Sequence, residues 1–301
     1  MTALKESILQ TIIYADCFDY ALTTEQIHQY LISNKKYSFV VLKTALNELV
    51  ASSKLLYQDG LYCISARKNL FRKRMAAASV SATKIEIAKK KIWFMTCMPW
   101  IDGIWITGNV AMNNAQDDDD IDLLVVTRDS WLWLTRLIIV IAYGAVGRLR
   151  LRHHSLQSVK NKLCLNMYLD ATVLEMPLNK KNLYSAHEVA QVMPLFNRNK
   201  VYECFMTANS WIIEYLPHTQ EIELEKNSSR LPRRASKPIR MINGWLFKLQ
   251  YYYMKNHLSR ELVDEHRAFF HPRDTSALIY REFARRCDDH EIPRAHVLKR
   301  T

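Results

Sequence analysis

Two aspartates at alternate positions, Asp120 and Asp122, open an apolar run that continues over residues 123–126. Asp is disfavoured in strands, so a pair of them in one needs a chemical reason. Strand side chains alternate in direction, which puts Asp120 and Asp122 on one face and turns Ile121 and Leu123 into a core. Carboxylates this close repel unless a cation or a proton sits between them. Paired hard oxygen ligands suit Mg²⁺ (or Mn²⁺), which keeps several waters and takes substrate phosphates as further ligands. Upstream, the apolar residues 104–106 end in Thr107-Gly108-Asn109. Gly108 permits close approach of backbone amides to an anion, and Asn109 adds a side-chain donor. Asp117, Asp118 and Asp119 read as a solvated acidic loop.

The run Gly108-Asn109-Val110-Ala111-Met112-Asn113-Asn114-Ala115, followed by Asp119-Asp120-Ile121-Asp122-Leu123, resembles the signature of the nucleotidyltransferase superfamily, the DNA polymerase beta-like fold. That signature has an apolar residue, Gly-Ser or Gly-Gly, a spacer, then two acids around an apolar residue. The spacer is matched by the ten residues between Asn109 and Asp120. Asn109 stands where the family has Ser or Gly, and Met112 where many small members have Arg. The match is specific over residues 101–127 and weaker toward residue 170.

The resemblance implies that Asp120 and Asp122 hold the metal and that Gly108 and Asn109 hold the nucleotide's phosphates. It also implies a third carboxylate on the next strand, Leu163–Asp170, which binds metal and helps to deprotonate the attacking hydroxyl. Asn166 and Asp170 are the candidates there, four residues apart and expected on one face. Asp170 is assigned to catalysis and Asn166 to nucleotide binding. If Asn166 fills the third position instead, metal binding weakens and general-base help is lost. The implied reaction is Mg²⁺-dependent transfer of a nucleoside monophosphate from a nucleoside triphosphate to an acceptor hydroxyl. Nucleic acid and protein are both candidate acceptors. The alternative is a catalytically degenerate regulator that uses the same fold to bind nucleotide, DNA or protein.

The 301 residues that must position this site are nearly half apolar, with few Gly and Pro, as in a globular, helix-rich chain. Six cysteines are scattered without ligand spacing, which points to reduced thiols and a cytoplasmic location. The start MTALKESILQ has no basic segment leading into an apolar one, so no signal peptide is expected. The net charge of +12 divides into +7 over residues 1–100, −4 over 101–225 and +9 over 226–301. An acidic centre between basic ends suits a metal site flanked by surfaces that attract a polyanion.

The expected fold class is α+β: a small mixed-sheet nucleotidyltransferase core, preceded by a winged helix and followed by a helical region. Residues 1–66 read as the winged helix, with Thr23 and Gln26 forming a capping box, Ser38 capping a third helix with Val41 on its buried face, and Asp59-Gly60 turning a hairpin. The third helix offers Lys43, Thr44, Asn47 and Glu48 to solvent, a weak endowment for a DNA groove. Residues 67–98 form a connecting helix and 99–180 the catalytic core. The apolar run after Asp129 is interrupted by Arg136 and is too short to span a bilayer, so no membrane is expected. Residues 181–301 are expected to be helical, with Pro194 bounding one helix and the aromatic stripe of GWLFKLQYYYM in the core; the resemblance implies a base pocket near Tyr184, His187 and Tyr202, with core packing as the alternative role for most aromatics there. His153 and His154 read as surface residues, and residues 221–238 as a linker.

Overall fold

The computed structural model describes residues 2–65, 67–150, 159–219, 234–258, 261–270 and 275–294. The first unit runs α1 (Ala3–Asp16), β1 (Leu22–Thr23), α2 (Thr24–Gln29), α3 (Phe39–Ala51), β2 (Leu55–Gln58) and β3 (Leu61–Ile64). Its boundaries follow from local chemistry. Thr23 Oγ1 accepts from Gln26 N while Gln26 Oε1 accepts from Thr23 N, a reciprocal cap at the start of α2. Ser38 Oγ accepts from Val41 N at the start of α3. Asp59 and Gly60 both take positive φ, 51° and 81°, the turn whose twist matches a two-residue hairpin. The strands form an antiparallel sheet in the order β1-β3-β2. Lys43, Thr44, Asn47 and Glu48 face solvent as expected, but so does Val41.

The connecting stretch is α4 (Asn69–Lys91) followed by the single turn α5 (Trp93–Thr96). The sheet begins with β4 (Ile101–Ile106), then α6 (Gly108–Ala111), β5 (Ile121–Thr127), α7 (Leu132–Ala145) and β6 (Leu163–Asp170). α8 (Leu183–Ala190), β7 (Met193–Asn197), α9 (Val201–Ala208), α10 (Lys237–Met254), β8 (Leu262–Val263), β9 (Arg267–Phe269) and α11 (Thr275–Asp289) complete the described elements. The large sheet has the order β7-β4-β5-β6-β9-β8, with β5 and β6 parallel and the other neighbours antiparallel. The protein is therefore α+β, and no helix among the described residues is long and apolar enough to cross a membrane.

The region after residue 180 is not purely helical: β7, β8 and β9 come from it and pair into the large sheet. Short apolar runs do not distinguish strand from helix by periodicity, and pairing with β4 decided for β7. Pro194 sits inside β7, where its missing N–H is tolerated because β7 is an edge strand. The aromatic stripe of α10 was expected in the core, yet Trp245 and Tyr253 are 72% and 80% exposed. The helix docks on α7 with Phe247 against Trp133, ring centroids 5.0 Å apart, and with two polar residues: Asn243 Oδ1 accepts from Trp133 N, and Gln250 Nε2 donates to Trp133 O. His153, His154 and most of residues 221–238 lie outside the described residues.

Two cores sandwich the large sheet. Ile104, Ile106, Leu123, Val125 and Tyr168 pack with Trp133, Ile139 and Tyr143 of α7. On the opposite face, Trp105, Leu124, Val126 and Leu169 join a cluster that includes Ile8 and Ile12 of α1, Leu183 of α8, Phe205 of α9 and Phe283 of α11. Each such side chain, fully buried, stabilises the fold by about 1.5–3 kcal/mol. The N-terminal unit thus shares a core with the sheet face that carries Asp122. The buried Asp16 of α1, ion-paired with Arg286 of α11, adds a polar clasp.

Candidate functional site

β4 and β5 run antiparallel with Ile106 opposite Leu123, so the turn leaving β4 lies beside the start of β5. Thr107 N donates to Asp122 O at 3.1 Å, extending that pairing by one residue. Gly108 follows at φ +63°, a conformation that a side chain resists. A Cβ at Gly108 would lie 3.0 Å from Asp122 Oδ2, so the missing side chain is what lets the turn and the carboxylate meet.

Across the parallel pair, Asp122 stands opposite Cys164. Ligand atoms of Asp120, Asp122 and Cys164 all lie within 4.8 Å of one another. The register then slips: β5 takes two residues from Asp122 to Leu124 while β6 takes three from Cys164 to Met167. That bulge sits next to the carboxylate pair, and Asn166 beside it donates Nδ2 to Asp122 Oδ1 at 2.8 Å.

Burial, and next the charge of Asp120, push the Asp122 carboxyl up to about 7, while Arg150 and a hydrogen bond from Cys164 pull the other way. Arg150 Nη1 lies 2.8 Å from Asp120 Oδ2. Burial and then the two carboxylates raise the Cys164 thiol, which donates a hydrogen bond to Asp122. Glu188 of α8 adds further negative charge on this side, because it too raises Asp122. Its own carboxyl is pushed up to about 7 by burial, and it is hydrogen-bonded with Tyr184 one turn earlier. A half-buried carboxylate pair with a third acid nearby is a charge excess that a hard divalent cation would relieve. The donor set therefore fits Mg²⁺, with Asp120 and Asp122 as its protein ligands.

Asp170 does not join this group. It pairs with Thr127, five residues beyond Asp122, on the opposite face of the sheet. The bulge is the reason: an extra residue between Cys164 and Met167 breaks the alternation that would have put Asn166 and Asp170 on one side. The Asp170 carboxylate is fully buried and occupied, accepting from Ser130 N (2.6 Å), Thr172 N (2.9 Å) and Thr172 Oγ1 (2.7 Å). With Asp129 and His266 it forms a separate cluster that ties the start of α7 to the end of β6. The fold therefore keeps Asp170 apart from Asp120 and Asp122, in a second group whose ligand atoms also lie within 4.8 Å of one another, and does not bring it to that centre as a third carboxylate. Asn109 is exposed, and its Nδ2 lies 3.3 Å from Asp119 Oδ2.

The loop between Gly108 and Asp120 is held from behind by α4. Arg74 Nη1 donates to Asn113 O, Ser81 Oγ accepts from Ala115 N, and Lys84 Nζ donates to Asp117 O, Asp119 O and Asn161 Oδ1 at 2.7–3.0 Å. Lys84 is 1% exposed, and its desolvated ammonium has a lowered pKa. Sequence reasoning missed Lys84 and Glu188. Arg74, Ser81, Lys84 and Ala88 do share a helical stripe, so polar residues on a buried face were the available signal for Lys84. Glu188 had none, since one acid on a short helix ordinarily faces solvent.

No family model, curated protein or solved structure matches the chain.

Proposed function

We propose that the chain is a divalent-metal-dependent nucleotidyltransferase that moves a nucleoside monophosphate from a nucleoside triphosphate to an acceptor hydroxyl. The observation that carries this reading is the packing of Gly108, at φ +63°, against Asp122 Oδ2, with Asp120 beside it. A turn without a side chain next to paired carboxylates is what a triphosphate and its cation require together. Asp120 and Asp122 would hold the Mg²⁺, which would supply positive charge to offset that of the phosphate oxygens.

The remaining work falls to the chain itself. Asn166 Nδ2 holds Asp122 Oδ1 and leaves Oδ2 toward Gly108. Arg150 balances charge at Asp120. In this reading the acceptor oxygen bonds to the α-phosphorus, the bond from that phosphorus to the bridging oxygen breaks, and pyrophosphate leaves. Glu188 takes the hydroxyl proton, the role that the resemblance gives to a third carboxylate and that the amide of Asn166 cannot perform. Positioning and charge neutralisation account for most of the rate.

The test supplies α-labelled nucleoside triphosphates with Mg²⁺ to RNA and protein acceptors and compares wild type with Asp122→Asn. Label transfer that survives the substitution refutes the assignment. A second reading, a nucleotide-binding regulator without turnover, is favoured by Asn166 standing where the resemblance implies an acid. Nucleotide binding with no transfer to any acceptor selects it. For the N-terminal unit, whose element order suits a winged helix, the α3 surface argues against groove reading. Its cation Lys43 is accompanied by Glu48, which is itself paired with Lys5. A cytoplasmic location belongs to the same proposal and rests on six free cysteines.

A further inference from the structure

A second group of ligating side chains gathers where β5 and β6 end, on the sheet face away from Asp122. Asp129 lies just past β5, Asp170 closes β6, and His266 lies in the turn between β8 and β9. Ligand atoms of the three lie within 4.8 Å of one another. Asp129 and Asp170 are buried, whereas the His266 side chain is 41% exposed. Among the described residues, neither carboxylate is ion-paired with a Lys or Arg. The neighbouring arginines turn elsewhere, Arg128 to Asp102 and Arg267 to Asp264. Two carboxylates taken out of water, with only a half-exposed imidazole beside them, make a site that a cation would stabilise.

An orphaned oxygen points the same way. Thr127 is in register with Asp170 across the parallel pair, so the two side chains stand on one side of the sheet. Thr127 is fully buried, and its Oγ1 has no hydrogen-bond partner among the described residues. A buried hydroxyl is rarely left so, because its desolvation then goes uncompensated. The spacing inside the group also fits an ion. His266 Nδ1 stands 3.4 Å from Asp170 Oδ2, long for a hydrogen bond. Two ligand atoms that are each ~2.0–2.1 Å from one tetrahedral cation stand about 3.4 Å apart.

Each ligand is oriented from outside the group, as metal ligands are. Asp129 Oδ1 accepts from Ser130 Oγ at 2.7 Å, and its Oδ2 accepts from Ala235 N at 2.8 Å. Ser130 N and the Thr172 amide and hydroxyl hold Asp170. His266 is placed through its backbone: its carbonyl accepts from Asp170 N at 2.9 Å, and its N–H donates to Asp264 Oδ1 at 2.8 Å. The carboxylates are thus presented in fixed positions, and the half-exposed ring gives an ion its way in.

We propose that Asp129, Asp170 and His266 bind one divalent transition-metal cation of the Zn²⁺ class, with Thr127 Oγ1 offering an oxygen to the fourth position or to the water that fills it. An imidazole beside two carboxylates is a donor set for Zn²⁺, whereas Mg²⁺ prefers an octahedron of oxygens and is not retained here. The ligands come from three distant segments. The ion therefore cross-links the start of α7, the end of β6 and the β8–β9 turn, and it stabilises the C-terminal strands in the sheet. This site does not rest on the nucleotidyltransferase reading.

The test is Zn²⁺ titration calorimetry with thermal unfolding on the chelator-treated full chain. Asp122→Asn serves as the background, because Asp120, Asp122 and Cys164 also offer ligands to Zn²⁺. In that background one Zn²⁺ binds and raises Tm, while Mg²⁺ leaves Tm unchanged. Adding His266→Ala or Asp129→Asn weakens Zn²⁺ binding roughly 100-fold or more. Absence of Zn²⁺ binding to Asp122→Asn, or an affinity that both further substitutions leave unchanged, overturns the site. Anomalous diffraction at the zinc edge, from wild-type crystals grown with Zn²⁺, asks the same question without a variant. A peak between Asp129, Asp170 and His266 supports the site, and peaks only elsewhere overturn it.

Discussion

Asp122→Asn should make the metal-free protein more stable while abolishing its metal response. In the fold the Asp122 carboxyl is raised from 3.8 to about 7, first by burial and then by Asp120. A raised carboxyl favours the folded state when it is protonated. Its contribution is therefore fully present below the unfolded pKa near 4 and is lost as pH rises toward 7. At about 1.4 kcal/mol per pH unit, a shift of about three units sets a ceiling of about 4 kcal/mol on the cost of ionising Asp122. Movement of Arg150 and entry of water lower this, so a gain of about 1–3 kcal/mol from the neutral amide is the reasonable expectation above pH 7. The Asn retains an oxygen to accept from Asn166. The assay is urea unfolding of both proteins at pH 5 and pH 8, each with chelator and with Mg²⁺. Wild type should lose more stability than Asp122→Asn from pH 5 to pH 8 in chelator, the loss from ionising Glu188 being common to both, and only wild type should regain stability with Mg²⁺. Equal stability of the two proteins in chelator at pH 8, or an equal Mg²⁺ effect on both, refutes the electrostatic argument.

Gly108→Ala forces a side chain into a positive-φ position 3.0 Å from Asp122 Oδ2. It should cost about 1–2 kcal/mol in denaturant unfolding and weaken Mg²⁺-tripolyphosphate binding. Lys84→Met strips the donor from Asp117 O, Asp119 O and Asn161 Oδ1. A loss of about 2–4 kcal/mol is expected, with a weaker metal response because the loop before Asp120 loses its support. Asp170→Asn should destabilise by about 1–3 kcal/mol and leave Mg²⁺-tripolyphosphate affinity at the wild-type value, and a lost metal site would restore Asp170 to the centre. Glu188→Gln should lower label transfer roughly 100-fold or more with triphosphate affinity retained. In wild type, transfer should rise with pH through about 7 as Glu188 ionises, and a pH profile shared by wild type and Glu188→Gln would remove it from proton transfer.

The sequence by itself determined the local elements and one half of the site. Capping at Thr23 and Ser38, the Asp59-Gly60 turn, and the strands around Gly108, Asp120 and Asp122 were legible because each depends on neighbours a few residues away. Period-two alternation sufficed to put Asp120 and Asp122 together. It failed at Asp170, because the bulge opposite Leu123 inserts a residue whose presence shows only in pairing with β5. The same limit hid β7 and β9, short strands that exist because β4 and β6 offer edges to pair with. Glu188 and Lys84 were hidden for a different reason. Burying a charge is favourable only beside partners that satisfy it, and their partners lie four residues away on α8 in one case and 33 to 77 residues away in the other. Tertiary structure alone brought Glu188 toward Asp122 and laid the N-terminal unit against the loop after Gly108, because only the shared core over one sheet face assembles those distant segments.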